Sequence, residues 1–221
     1  MDGEYMTKSK RKEMDIEIRR NAILDAVERI YEKGNFESAT MDDIAKEAEF
    51  TKQTLYAYFK GKDEIMASVY VRAANWINQM IKSKLDEKEF MTGYEKLDLM
   101  RTVFTEIAVE KSFYTKMMSI YQLKDLIEFR DLGIYDEIMT KNANLTSYMS
   151  DCISKGILDG SISKNTDVQS GVLFLKASIL GAVSTVVYNE QYMRQELNLT
   201  PSEALRNIFE FCMKAFRNDA K

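Results

Sequence analysis

The sequence predicts an all-α protein: an N-terminal three-helix unit containing a helix-turn-helix, followed by a larger C-terminal helical domain. Three observations carry this expectation. One proline and nine glycines occur in 221 residues, so helix breakers are scarce. Apolar side chains recur at three- and four-residue steps, the period of helices that bury one face. Hydroxyl residues stand three positions ahead of carboxylates at Thr40 and Thr200, the spacing of a capped helix start. With 45% hydrophobic residues the chain can bury one large core or two modest ones.

Residues 1–14 read as a flexible polar arm. A first helix is expected from about Asp15 to Lys33, with Ile16, Ile23, Ala26, Val27 and Ile30 on one face and Gly34 as its stop. Thr40 and Asp43 form a variant capping box that opens a short second helix, whose inward face is Ile44, Ala45 and Ala48. The third helix starts at Thr51, whose hydroxyl can accept from a backbone N–H of the first turn; Phe50 and Leu55 occupy the positions of a hydrophobic staple. Lys60-Gly61-Lys62 ends it. A longer helix then runs from about Asp63 to Leu85, carrying Ile65, Val69, Ala73, Trp76 and Met80.

Amphipathic segments follow near 94–111, 113–123 and 128–155. Gly156 and Asp159-Gly160-Ser161 read as a turn. Thr166 to Met193 reads as one strongly apolar helix. Thr200, Pro201 and Glu203 give the last helix the clearest start in the chain. The domain division expected is 1–62 and 63–221.

Composition narrows the chemistry. Histidine is absent, which removes the usual general base and the commonest metal ligand. Cys152 and Cys212 lack zinc-site spacing and fall in apolar helical patterns, as buried free thiols of a reducing cytoplasm do. Neither a Gly-rich phosphate loop nor a paired metal-carboxylate motif is present, so no enzyme, metal or cofactor is expected, with a Lys- or Tyr-based site left open. The charged N-terminus carries no secretory h-region. The most apolar stretch, Gly171 to Tyr188, is interrupted by Lys176; a buried or interface helix explains it better than a membrane span. The net charge is −4, so any surface for nucleic acid must be local. Candidates are Lys8 to Lys12, and Thr51 to Lys62, which holds three lysines and no acid.

The run Ile23-Leu-Asp-Ala-Val-Glu-Arg-Ile-Tyr-Glu-Lys-Gly34, then Thr40-Met-Asp-Asp-Ile-Ala45, Thr51-Lys-Gln-Thr-Leu-Tyr-Ala-Tyr-Phe59 and Lys62-Asp-Glu-Ile65, resembles the TetR family of repressors. The resemblance covers about residues 20–66 in unbroken order; beyond them it is one of architecture. It implies that the helix after Thr51 is a recognition helix lying in the major groove. Lys52, Gln53 and Thr54 are then the candidate base readers, since Lys suits guanine, Gln suits adenine and Thr meets the thymine methyl. Tyr56, Tyr58 and Lys62 correspond to the family's phosphate-contacting groups. Thr51 sits at a helix N-terminus that favours phosphate, and Thr40 could donate to phosphate as well as cap. Alternatives stay open: capping alone for Thr51, simple solvation for Gln53, and a half-buried core position for either tyrosine.

One position departs from the family. Glycine is usual in the turn before the recognition helix, and here Glu49 stands there. A left-handed turn would cost Glu about 1 kcal/mol or more. Glu37, Asp42, Asp43, Glu47 and Glu49 oppose Lys46 alone in this stretch. Either the turn takes another geometry or affinity for DNA is lowered.

The resemblance further implies a C-terminal domain that forms a homodimer and encloses a small-molecule effector. Two heads on a two-fold axis match a palindromic operator. For dimerisation the candidates are Val172, Leu175, Ile179, Val183 and Val187 on the apolar helix, with Leu205, Ile208, Phe209 and Phe216 on the last. For an apolar or amphipathic effector they are Trp76, Met80, Tyr94, Phe104, Met117 and Tyr121, from a middle region that also holds Phe90 and Phe129; core packing is the competing use of each. The function implied is a ligand-responsive repressor in the cytoplasm, without membrane attachment, whose operator-competent state is depleted when effector prefers another state. The alternative is a protein of the same fold that has lost tight DNA binding and serves protein partners.

Overall fold

Helix formers and local caps divide the chain into ten helices among the described residues of the computed structural model, which are 8–34, 38–86, 91–122, 130 and 132–218. They are α1 (Lys8–Glu32), α2 (Met41–Glu47), α3 (Lys52–Tyr58), α4 (Lys62–Asp86), α5 (Gly93–Glu110), α6 (Ser112–Gln122), α7 (Tyr135–Asp159), α8 (Val168–Tyr188), α9 (Glu190–Glu196) and α10 (Pro201–Lys214). The all-α expectation holds. Two compact units divide at Val69/Tyr70, inside α4.

In the first unit α1 starts at Lys8, seven residues before the expected start, so residues 8–14 are helix rather than arm. Their Lys, Arg, Glu and Met side chains are good helix formers, and the Ser9 hydroxyl donates to Glu13 at 3.0 Å. Apolar periodicity misses these turns because they are exposed. Further along, Ile23, Ala26, Val27 and Ile30 are buried, as are Ile44 and Ala45 of α2 and Leu55 of α3. Each fully buried Ile, Leu or Val of this set contributes roughly 1.5–3 kcal/mol. Glu47 of α2 adds a polar clamp on α1, accepting from Arg29 at 2.9 Å and Lys33 at 2.6 Å.

The second unit packs α5 against α7 and α10, and α8 against α6, α7 and α10. Thr92 and Glu95 form a capping box at the start of α5, and Thr200 with Glu203 form the expected one at α10. The start of α5 is pinned again from the turn after α7: Asp159 accepts from the Gly93 N–H at 2.8 Å, and the Ser161 hydroxyl accepts from the Tyr94 N–H at 3.1 Å. Gly156 lies within α7 instead of marking the turn, which falls at the left-handed Gly160. The Ile162 side chain leaves Gly156 no room for a Cβ, and the α7 backbone leaves Gly93 none. A Cβ on Gly93 would stand 2.0 Å from the Gly156 nitrogen, and one on Gly156 would stand 2.5 Å from the Ile162 side chain.

The apolar helix expected over 166–193 is two helices. It starts after Asp167, which accepts from the Ser170 N–H at 2.8 Å, and breaks at Asn189. There the Asn189 amide turns back onto the Thr185 carbonyl at 3.0 Å, the local competition by which Asn ends helices. Cys152 is buried in this unit, and that burial pushes its thiol up to about 11.

Candidate nucleic-acid interface

The helix-turn-helix is assembled from local hydrogen bonds outward. Thr40 Oγ1 accepts from the Asp43 N–H at 3.3 Å, and Asp43 accepts from the Thr40 N–H at 2.8 Å. The Thr40 hydroxyl also donates to Asp43 Oδ2 at 2.6 Å, so in this state its proton is engaged rather than offered to a phosphate. These bonds to the Thr40 side chain and backbone hold the Asp43 carboxyl below its ordinary value.

Glu49 is left-handed, with φ of 59°. The Glu49 N–H donates to the Lys46 carbonyl at 3.2 Å and the Phe50 N–H to the Ala45 carbonyl at 2.9 Å. That pair of bonds is the Schellman ending of a helix, in which the left-handed position favours glycine. Of the two options the sequence leaves, another turn geometry is excluded: the turn keeps the left-handed form and Glu49 bears its cost.

Thr51 caps α3, accepting from the Thr54 N–H at 3.0 Å, and shares a hydrogen bond between hydroxyls with Thr54 at 2.8 Å. Lys52 and Gln53 are exposed; Tyr56 is 49% exposed, and Tyr58 is half-buried. Leu55 and Phe59, four residues apart, are buried on the opposite side. Lys52 is engaged across the turn: its ammonium lies 2.8 Å from Asp42, whose hydrogen bond and charge raise its pKa. Lys62 donates to the Ala39 carbonyl at 2.5 Å, tying the start of α4 to the segment before α2.

Residues 23–69 match the family model described as bacterial regulatory proteins, tetR family. This N-terminal segment is TetR-like. A relative over most of its length is the fatty acid metabolism regulator protein of Bacillus subtilis, 25% identical over 170 residues, 76% of this chain and 84% of that one. Another is the transcriptional repressor KstR2 of Mycolicibacterium smegmatis, 23% identical over 158 residues, 72% and 74% of the two chains. In fold, the chain is similar to the transcriptional regulator FadR of Bacillus subtilis solved with stearoyl-CoA, with a TM-score of 0.65, 21% identity and coverage of 89% and 98%.

Within this helix-turn-helix unit, sequence reasoning missed Arg20 and Glu64. Arg20 donates to the Tyr58 carbonyl and, at 3.3 Å each, to Glu64 and the Ser68 hydroxyl. Its guanidinium carbon stands 4.0 Å from the Phe59 ring centroid. The other Glu64 oxygen accepts from the Lys60 N–H at 2.7 Å. The one available signal was an arginine directly before an apolar helical period.

The C-terminal candidates separate into buried and exposed sets. Val172, Leu175, Val183, Leu205, Phe209 and Phe216 are buried within the protomer, and Ile179, Val187 and Ile208 pack partly buried against the same core. The stripe expected to meet a partner is therefore turned inward. The apolar groups exposed on the same helices are others: Leu173 (70%), Phe174 (43%), Tyr188 and Phe211 (72%). A strong apolar stripe is what a helix gives first to its own core, and α8 is apolar enough to have a second face.

Of the effector candidates, Phe104 lines two small apolar cavities of about 20 Å³ each, and Ile179 lines both with it. Met117 is wholly buried, while Trp76, Met80 and Tyr94 pack partly buried against the core. Tyr121's side chain, Phe90 and Phe129 lie outside the described residues. Around one cavity stand Leu97, Met100, Arg101 and Cys212; around the other, Ile77, Thr115, Met118 and Ser119. Each void is far below the ~300–1,000 Å³ of sites that hold drug-sized ligands.

Proposed function

We propose that this chain is a homodimeric repressor that reads a palindromic operator with α3 and is released by an apolar or amphipathic effector held in its second unit. The observation that carries the reading is the two-sided character of α3. Leu55 and Phe59 are buried while Lys52, Gln53 and Tyr56 face out from an acid-free helix, as a helix needs in order to be fixed on one side and read bases on the other. Thr51, Lys52, Gln53 and Thr54 would face base edges and nearby phosphates; Tyr56 and Tyr58 would position the backbone. Thr40 and Lys62 would reach phosphate only by giving up Asp43 and the Ala39 carbonyl.

For dimerisation the support is the exposed apolar face of α8 and α10, led by Leu173, Phe174 and Phe211. Gly181 lies exposed on α8 with open space where a Cβ would be, which lets a second helix approach closely. Val168–Tyr188 is long and apolar enough to cross a membrane by composition, and a symmetric partner accounts for that apolarity in a DNA-binding protein. For the effector, support comes from the paired cavities and from the fatty-acid and stearoyl-CoA associations in the names of its relatives. Phe104 and Ile179 would have to part for such a molecule to enter.

A second reading, a TetR-fold protein with weak DNA binding, is favoured by Glu49 and by the Lys52–Asp42 pair, which set carboxylates beside the reading face. Selection from a random duplex library, with Tyr56→Phe and Lys52→Ala beside the parent, separates the two. The repressor reading expects a palindrome from the parent, weaker binding in Tyr56→Phe and altered base preference in Lys52→Ala. Absence of enrichment by folded dimer favours the second reading.

A further inference from the structure

The seven residues of α3 make two turns, too few to hold a fixed direction unaided. Burial of Leu55 and Phe59 fixes one stripe and leaves rotation about it. The exit of the helix is held differently. At Phe59 the backbone leaves the helix in an extended conformation, so the Tyr58 carbonyl and the Lys60 N–H need partners from elsewhere. Arg20 of α1 gives a hydrogen bond to that carbonyl, and Glu64 of α4 receives one from that N–H at 2.7 Å. The two side chains meet at 3.3 Å, Ser68 takes a further guanidinium N–H, and the guanidinium carbon stands over the Phe59 ring. Glu64 is buried and Arg20 is half-buried, so water cannot readily replace the Glu64 carboxylate.

We infer that Arg20 and Glu64 are positioning residues for DNA binding, a charged staple that sets the direction of the recognition helix from its C-terminal end. This rests on the reading that α3 enters DNA. Neither residue needs to touch the nucleic acid. Arg20 is neutralised by Glu64, and its geometry is spent on three acceptors and a ring. Lys, a single-point cation, cannot reproduce that pattern.

The test uses the full chain and the duplex enriched by the parent from a random library, with binding measured across a salt series. Glu64→Gln and Arg20→Lys are expected to fold, to bind at least 10-fold more weakly, and to keep the parent's slope of log K against log salt, because no phosphate contact is deleted. In the free protein, amide exchange at Phe59 and Lys60 should quicken. Tighter binding by Glu64→Gln overturns the inference, since that is what removing an anion near phosphates would give. So does a salt slope lowered by about 1 in Arg20→Gln, which would make Arg20 a direct phosphate contact. If a single variant fails to fold, Arg20→Met combined with Glu64→Leu removes both charges at similar volume; parental affinity there overturns the inference, and a matching loss supports it. A parent that enriches no duplex refutes the DNA reading and the staple's role with it. A parent that binds, beside variants that bind equally, refutes the staple alone.

Discussion

Replacing Glu49 by glycine should make the head more stable and its DNA binding tighter, through two separable effects. The first is conformational. A non-glycine residue held in the left-handed region at φ of 59° costs roughly 1–2 kcal/mol. Glycine removes that cost and returns about 0.5–1 kcal/mol through the greater freedom of the unfolded chain. The expected net gain is about 0.5–1 kcal/mol, read as a higher urea midpoint at unchanged slope. The second effect is electrostatic. Glu49 is exposed in the turn that leads into α3. At about one Debye length from a phosphate, its charge costs on the order of 0.4 kcal/mol per phosphate in water. Facing one or two phosphates, it should weaken binding about 2- to 4-fold at low salt, and less at high salt. Glu49→Gln isolates the charge, keeping the strained backbone while removing the carboxylate. Urea titration and anisotropy at two salt concentrations should show Glu49→Gly gaining stability and affinity, and Glu49→Gln gaining affinity alone. Equal stability of the two variants would refute the strain argument; equal affinity of Glu49→Gln and parent would refute the electrostatic one.

Three further outcomes are expected. Leu173→Glu and Phe211→Glu place charges on an exposed apolar face, so sedimentation should find monomers that stay helical; a dimer of parental affinity would move the interface elsewhere. Lys62→Met should destabilise the DNA-free head by about 1.5–3 kcal/mol, the range for a hydrogen bond from a charged group, because it cuts the bond to the Ala39 carbonyl; an unchanged urea midpoint would leave Lys62 to DNA alone. Hydrogen bonds from Thr40, Thr92 and Thr200 draw the carboxyls of Asp43, Glu95 and Glu203 below their ordinary values. Carboxyls lowered by folding contribute stability that is complete above their unfolded values and lost as pH falls through the folded ones. The melting temperature should therefore hold steady near neutrality and fall below about pH 4.5, and Thr40→Val should flatten that fall in the head.

The caps were legible because a cap is a local event: Thr40, Thr51 and Thr200 each bond a backbone group three residues on, and that spacing is written in the chain. Glu49 was legible as an anomaly only through the resemblance to the TetR family, which expects glycine there, and its φ of 59° was not legible at all. What could not be read was which element owns a given surface. Val172, Leu175 and Val183 form the strongest stripe on α8, yet periodicity says only that a stripe is apolar, not whether the protomer's own α10 or another copy will cover it. Arg20 and Glu64 stand 44 residues apart, and nothing short of the folded chain brings them together. The break at Asn189 was missed because apolar residues continue in helical register on both sides.

The crossing of Gly93 over Gly156 limits how the second unit can deform. Two backbones already at the distance of closest approach cannot be pressed together, and the bonds from Asp159 and Ser161 oppose their separation. That corner of the domain acts as a fixed bearing. Room for any guest between α5 and α8 must then open along the cavities that Phe104 and Ile179 line, so the domain should open like a book whose spine is held at the two glycines.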